Sequence, residues 1–332
     1  MIPKIYEINS LVWLREQPWV NPDSPDLADI PDKQIEKWSR RGFNIIWFLG
    51  VWTKGSASRK ICLKNDGMMK SFDNLLEDFS EDDVVGSPFS IAAYKISPDL
   101  GKNDTLHRLR RKLHQHGLKL MLDFVPNHLA VDHKWVHEHP ERFVQGTEIE
   151  LQNEPGNYFR PSEDSDVVIA HGRDPYFAGW TDTAQINIAN REARQSLIDL
   201  LLHVASQCDA VRCDMAMLLK KSVFENTWGD LSVFEYPDKD IPEFWPEAIH
   251  TVREHHPDFL FMAEVYWDLE SELIEMGFDY TYDKTLYDML RRADGNGVRE
   301  HMHRNAEYRE HMVRFIENHD EERAQQAFEK RH

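Results

Sequence analysis

The feature that most restricts how this chain can fold is a series of short apolar runs, each ending in polar residues and followed by a helix-like stretch. Phe43 to Trp52 (FNIIWFLGVW) is almost continuously apolar, the pattern of a parallel strand covered on both faces. Leu118 to Val125, Asp209 to Met217, Phe259 to Val265 and Val313 to Ile316 repeat it, and Lys4 to Leu14 reads as a first strand. Between the runs, Leu106, Leu109 and Leu113, and later Leu197, Leu200, Leu201 and Val204, recur at helical spacing. Gly42 and Gly117 stand where two of these helices must stop. No hairpin signal separates the runs, so alternating strands and helices imply a parallel sheet. No glycine-rich phosphate turn follows any strand, which argues against a nucleotide-binding open sheet. The polar sets fall at the C-terminal strand ends, where barrel enzymes build their sites. The expected architecture is therefore α/β, a (β/α)8-type TIM barrel, incomplete, with about seven strands in this chain.

Four strand ends carry chemistry: Asp123 with Asn127 and His128, Arg212 with Asp214, Glu264, and His319 with Asp320. Strand residues two apart share a face, which sets Arg212 beside Asp214. A guanidinium next to a buried carboxylate lowers its pKa and keeps it charged, as a nucleophile requires. A structural ion pair is the plainer reading of that strand alone; the matching chemistry at the other strand ends outweighs it. Clustered carboxylates cannot all ionise easily, so one becomes a proton donor. Glu264, flanked by apolar residues and without an adjacent basic one, is the candidate. A charged carboxylate facing a protonated one is the apparatus of glycoside hydrolysis, and a nucleophilic Asp214 implies retention with the carboxyl groups about 5–5.5 Å apart. The neutral imidazoles of His128 and His319 can hydrogen-bond sugar hydroxyls.

These stretches resemble a known family. Asp123 to His128 (DFVPNH), Val211 to Asp214 (VRCD), Ala263 to Val265 (AEV) and Phe315 to Asp320 (FIENHD) look like the four ordered signature regions of the alpha-amylase family, glycoside hydrolase family 13. Asp182 to Asn187 resembles its auxiliary motif. The resemblance runs from Ile5 to the end of the chain. It implies Asp214 as nucleophile, Glu264 as general acid/base and Asp320 as a third acid gripping sugar hydroxyls. It also implies Arg212, His128 and His319 as companions in the sugar subsite, Asp123 as a supporting residue and Phe89 in place of a stacking tyrosine. No cofactor is required by this chemistry, but Asn127 stands where many members have an asparagine near Ca2+. The domains expected are 1–128 as the first part of the barrel with three strands, 129–184 as an inserted subdomain, and 185–332 as the rest. The Lys-His pair that holds the leaving-group sugar in typical amylases is replaced by Met217-Leu218. An eighth strand, its helix and the family's C-terminal β domain have no counterpart before His332, so a fragment, or a barrel closed by another segment, is expected.

Composition narrows the partners. Lys plus Arg number 39 against 58 Asp plus Glu, a formal charge of −19 that repels phosphate backbones and disfavours nucleic acid. No run approaches the roughly 20 apolar residues of a membrane span, and Met1 to Ser10 lacks signal-peptide character. With three cysteines and no CxxC, a cytoplasmic location is expected. His133 and His137 share a helical face, but spacing places no third ligand, so a metal there is not expected. The expected activity is a retaining α-glycosidase acting on α-glucans or oligosaccharides. A transglycosylase or sugar isomerase on the same scaffold, and a non-catalytic carbohydrate-binding fragment, are the alternatives.

Overall fold

A computed structural model describes residues 3–229, 241–304 and 307–328. Its centre is a seven-stranded sheet: β1 (Ile5–Asn9), β2 (Ile45–Leu49), β3 (Lys119–Phe124), β4 (Ala210–Cys213), β5 (Leu260–Ala263), β6 (Tyr280–Tyr282) and β7 (Met312–Val313). The strands lie side by side in chain order and every adjacent pair is parallel. This is an incomplete (β/α)8 barrel.

Period-two alternation divides β2 between two cores. Ile46 and Phe48 face outward into the large core beneath the helices, with Leu106, Leu109 and Leu113 from helix Thr105–Gln115 and Leu197, Leu201 and Val204 from helix Arg191–Ala205. Ile45, Trp47 and Leu49 face inward, where Met121, Ala210, Met262 and Tyr282 form a smaller interior cluster. Burial on both faces is why β2 reads as an unbroken apolar run. In the interior Ala210 pairs with Met121, and one step along, Arg212 pairs with Asp123 and Met262. An apolar layer thus supports a charged one. Gly42 (φ 81°) and Gly117 (φ 71°) follow helices Asp32–Arg40 and Thr105–Gln115 in left-handed conformations that a side chain would strain.

Two expectations need correction. Lys4 to Leu14 is not one strand: Asn9 ends β1 and its side chain accepts from the Val12 N–H, capping helix Ser10–Arg15. Antiparallel pairing is also present despite the lack of hairpin signals. Trp52–Lys54 pairs with Ile91–Ile96, His128–Ala130 with Thr183–Gln185, and three short strands between Gln145 and Ala170 form a sheet of their own. Most of these strands have two or three residues, too few for period-two alternation to register.

Among the described residues, β1 and β7 each have one neighbour in the sheet. A cavity of about 700 Å³ lies at this seam, lined in part by Ile5, Glu7, Trp47, Tyr282, Phe315 and His319.

Candidate active site

Arg212 organises the site. It is 1% exposed, an expensive place for a charge unless the surroundings compensate it. Its Nη1 donates to Asp214 Oδ1 at 2.6 Å, its Nη2 pairs with Glu264 Oε2 at 2.8 Å, and its Nε donates to the Tyr282 hydroxyl at 3.3 Å. The rings of Phe89, Trp47 and Tyr282 surround the guanidinium at 5.2, 5.5 and 5.8 Å. Strand alternation sets Arg212 beside Asp214, as expected. The Glu264 contact is a correction: Glu264 lacks a basic neighbour in sequence but shares this one in space, across the β4–β5 pairing.

Both acids are buried, and burial raises the carboxyl pKa of each against the pull of the common arginine. The guanidinium therefore does not by itself separate a charged acid from a protonated one. The remaining hydrogen bonds do. Glu264 Oε2 also accepts from the Met215 N–H at 2.7 Å, while Oε1 meets the Tyr266 hydroxyl at 2.8 Å. Facing two obligate donors, Oε2 stays an acceptor. Oε1, opposite a hydroxyl that can donate or accept, is the oxygen able to carry a proton. Met215 itself has φ 42°, a left-handed backbone rare for so large a side chain and of the kind that gathers at functional sites.

Asp123 supports the site from β3. It takes the Trp47 Nε1–H at 3.1 Å and the Gly50 N–H at 2.8 Å, and burial pushes its pKa up to about 6. His128 is buried against Trp180, their ring centroids 5.2 Å apart, and burial lowers its pKa to about 4, so it is neutral as expected. His319 is a second correction. Burial opposes its charge, but Asp320 and Glu7 outweigh this and raise its pKa to about 9, making it an imidazolium near neutrality. Its Nδ1 lies 2.7 Å from Glu7 Oε1 and its Nε2 lies 3.1 Å from Asp320 Oδ2. Asp320 is half exposed; burial pushes its pKa up, but the His319 and Arg212 charges hold it below the usual carboxylate range. The Phe89 and His319 ring centroids are 5.4 Å apart, which brings the predicted stacking residue to the same place.

The structure thus gathers Asp214, Glu264, Asp320, His319, Phe89 and Asp123 around the Arg212 guanidinium. His128 is linked to them through a hydrogen bond with the Phe89 backbone. Glu7, Trp47, Tyr266 and Tyr282 were not anticipated as site residues. Glu7 had a signal: it shares a face with Ile5 and Asn9, a charged group on the inward face of an otherwise ordinary strand.

Asn127, which the resemblance sets near calcium, is tied to Gln185 on a neighbouring strand. Its backbone oxygen and Oδ1 both accept from Gln185 Nε2 at 3.0 Å, and it is 1% exposed. Among the described residues no group of three or more His, Cys, Asp and Glu could hold a metal ion. His133 instead caps helix Lys134–Glu138, accepting the Trp135 N–H at 3.1 Å. No helix among the described residues is long and apolar enough to cross a membrane.

Parallel strands in chain order, with acids of three strand ends meeting at their C-terminal edge, define a barrel of the enzyme-bearing kind. Residues 88–332 match the alpha-amylase catalytic domain, and the chain belongs to the alpha-amylase family, glycoside hydrolase family 13. It is 26% identical over 268 residues to an alpha-1,4-glucan:maltose-1-phosphate maltosyltransferase of Cereibacter sphaeroides, covering 76% of this chain and 32% of the relative. It is also 26% identical over 242 residues to the alpha-amylase MalA of Haloarcula japonica, covering 69% and 30%. The chain therefore spans about a third of the length of these relatives. Among solved structures, an alpha-amylase from Lactobacillus plantarum superposes with a TM-score of 0.62 at 21% identity, over 98% of this chain and 65% of that one. A cyclic alpha-maltosyl-(1→6)-maltose hydrolase from Arthrobacter globiformis gives 0.63 at 17% identity, over 99% and 68%. These two likenesses concern the fold.

Proposed function

We propose that the chain carries the catalytic face of a retaining α-glycosidase acting on α-glucans or shorter oligosaccharides. The observation that carries this reading is the single buried guanidinium held between Asp214 and Glu264. Two carboxyl groups hung on one guanidinium favour the closer of the two glycosidase spacings, which leaves no room for a water between acid and base. Asp214 attacks the anomeric carbon and forms a C–O bond as the glycosidic C–O bond breaks; Glu264 gives its Oε1 proton to the departing oxygen. Water then attacks the same carbon, Glu264 takes back a proton, and Asp214 is released. Asp320 and the His319 imidazolium hold sugar hydroxyls, His128 adds a neutral contact, and Phe89 offers a ring face to the sugar.

A second reading, transfer of the glycosyl group to another sugar, is favoured by two observations. The Cereibacter relative is named a maltosyltransferase. Met217 and Leu218, standing where a leaving-group contact is expected, are 0% and 3% exposed and pack into the core. Product analysis after incubation with maltoheptaose, with and without an added acceptor sugar, separates the two readings. Glu264→Gln is expected to stop both reactions; unchanged turnover in that variant would refute the assignment.

A further inference from the structure

A second cavity, of about 490 Å³, lies at the N-terminal end of the barrel, away from the three acids. Lys119 opens β3 and shares a strand face with Met121 and Asp123, so it stands about 13 Å along the strand from the charged layer. Helix Thr105–Gln115 brings Arg110 and His114 to the cavity, and the end of helix Phe244–His255 brings His255, His256 and Asp258. Five of these side chains carry or can acquire positive charge, on a molecule of formal charge −19. A structural ion pair accounts for part of the cluster only. Arg110 and His114 are engaged by Asp209, and Arg110 Nη1 also donates to the Ser206 carbonyl at 3.3 Å. Lys119 and His256 are half-buried, and neither the ammonium nor the imidazole has a hydrogen-bond or ion-pair partner among the described residues. His255 places Nδ1 3.0 Å from the Thr251 carbonyl, which leaves Nε2 for another partner.

We propose that this cavity binds a phosphate group, free or carried by a small sugar, with Lys119 and His256 donating to its oxygens. An ammonium and an imidazolium make the charge-assisted hydrogen bonds that phosphate oxygens accept. The volume lies in the range of small-molecule sites, roughly 300–1,000 Å³, so a phosphorylated sugar has room. Burial, then the charges of Arg110 and His255, hold the His256 pKa below its ordinary 6.5. An anion relieves that crowding. Among the lining groups the fixed cations Arg110 and Lys119 face the acids Asp209 and Asp258, so His114, His255 and His256 decide the net sign. An anion that favours the imidazolium raises its pKa, so binding takes up a proton and strengthens as pH falls. The site is independent of the glycosidase reading.

The test is calorimetric titration of sulfate, a dianion whose own charge does not change near neutrality, into the 332-residue chain. Affinity is expected to be about tenfold higher at pH 5.5 than at pH 8. Lys119→Met should weaken sulfate roughly five- to tenfold at both values, and His256→Gln should flatten most of the pH dependence. Titration of inorganic phosphate and glucose 6-phosphate at pH 7 then identifies the source. An ester bound about tenfold more tightly supports a phosphorylated sugar, and equal affinities support free phosphate. Absence of sulfate binding to the unsubstituted chain overturns the site, as does unaltered affinity in Lys119→Met. Should Lys119→Met lower the Tm as well as the affinity, His256→Gln decides: a retained pH dependence overturns the site and a flattened one supports it.

Discussion

Strand β4 carries a carboxylate just outside each end, and the two are treated in opposite ways. Asp209, at the N-terminal end, is saturated: Arg110 reaches Oδ1 through Nε at 2.9 Å and Nη2 at 2.8 Å, while His114 and the Leu120 N–H reach Oδ2 at 2.9 and 2.8 Å. Asp214, at the C-terminal end, accepts one hydrogen bond among the described residues, from Arg212. Both are buried acids with an arginine partner, so type, burial and pairing do not distinguish them. Free acceptor capacity does. A carboxylate with every lone pair engaged holds helix to sheet; one left under-coordinated in a polar pocket can receive a substrate. The contrast follows the division of labour in barrels, with stability at the N-terminal face and chemistry at the C-terminal one.

The sharpest way to break the comparison is at the C-terminal end. Asp214→Asn and Glu264→Gln should each lower kcat at least about a thousandfold while leaving the urea midpoint almost unchanged. Arg212→Leu should cost about 3–5 kcal/mol, because two buried carboxylates lose their common counter-charge. That cost should shrink at pH 5 relative to pH 7, since the stranded acids can then protonate; urea melts at both values test the sign. Asp209→Asn should cost roughly 1–3 kcal/mol through the ion pairs it weakens, with kcat and KM unaffected. Loss of activity comparable to that of Asp214→Asn would erase the distinction between the two ends.

The smallest effect concerns pH. The folded pKa of His319, about 9, lies above its ordinary value of 6.5, so the stability it contributes is complete below pH 6.5 and is lost as pH rises through about 9. Glu7→Gln, which removes one of the two acids raising that pKa, should flatten the alkaline loss in a Tm-against-pH series. An unchanged slope would mean that Asp320 alone sets the charge of His319.

Much of this was legible in the chain. Period-two alternation places Arg212 beside Asp214, apolar runs locate the strands, and Gly42 and Gly117 end their helices as expected. What escaped was contact between segments. Arg212 reaches Glu264 because β4 and β5 are adjacent and in register, and no local pattern encodes that register. Glu7 meets His319 across 312 residues, which turned a histidine expected to be neutral into a cation. The two- and three-residue antiparallel strands were too short to show a period. Chemistry confined to one strand was readable; chemistry shared between strands waited for the fold.

The Glu7–His319 bond joins the first strand of the sheet to the segment after the last, across the cavity at the seam. One imidazole is thus both the proposed sugar contact and a rivet. Warming that loosens this corner should silence the catalytic centre while the helices on the far side of the barrel still hold their shape, so inactivation would precede melting.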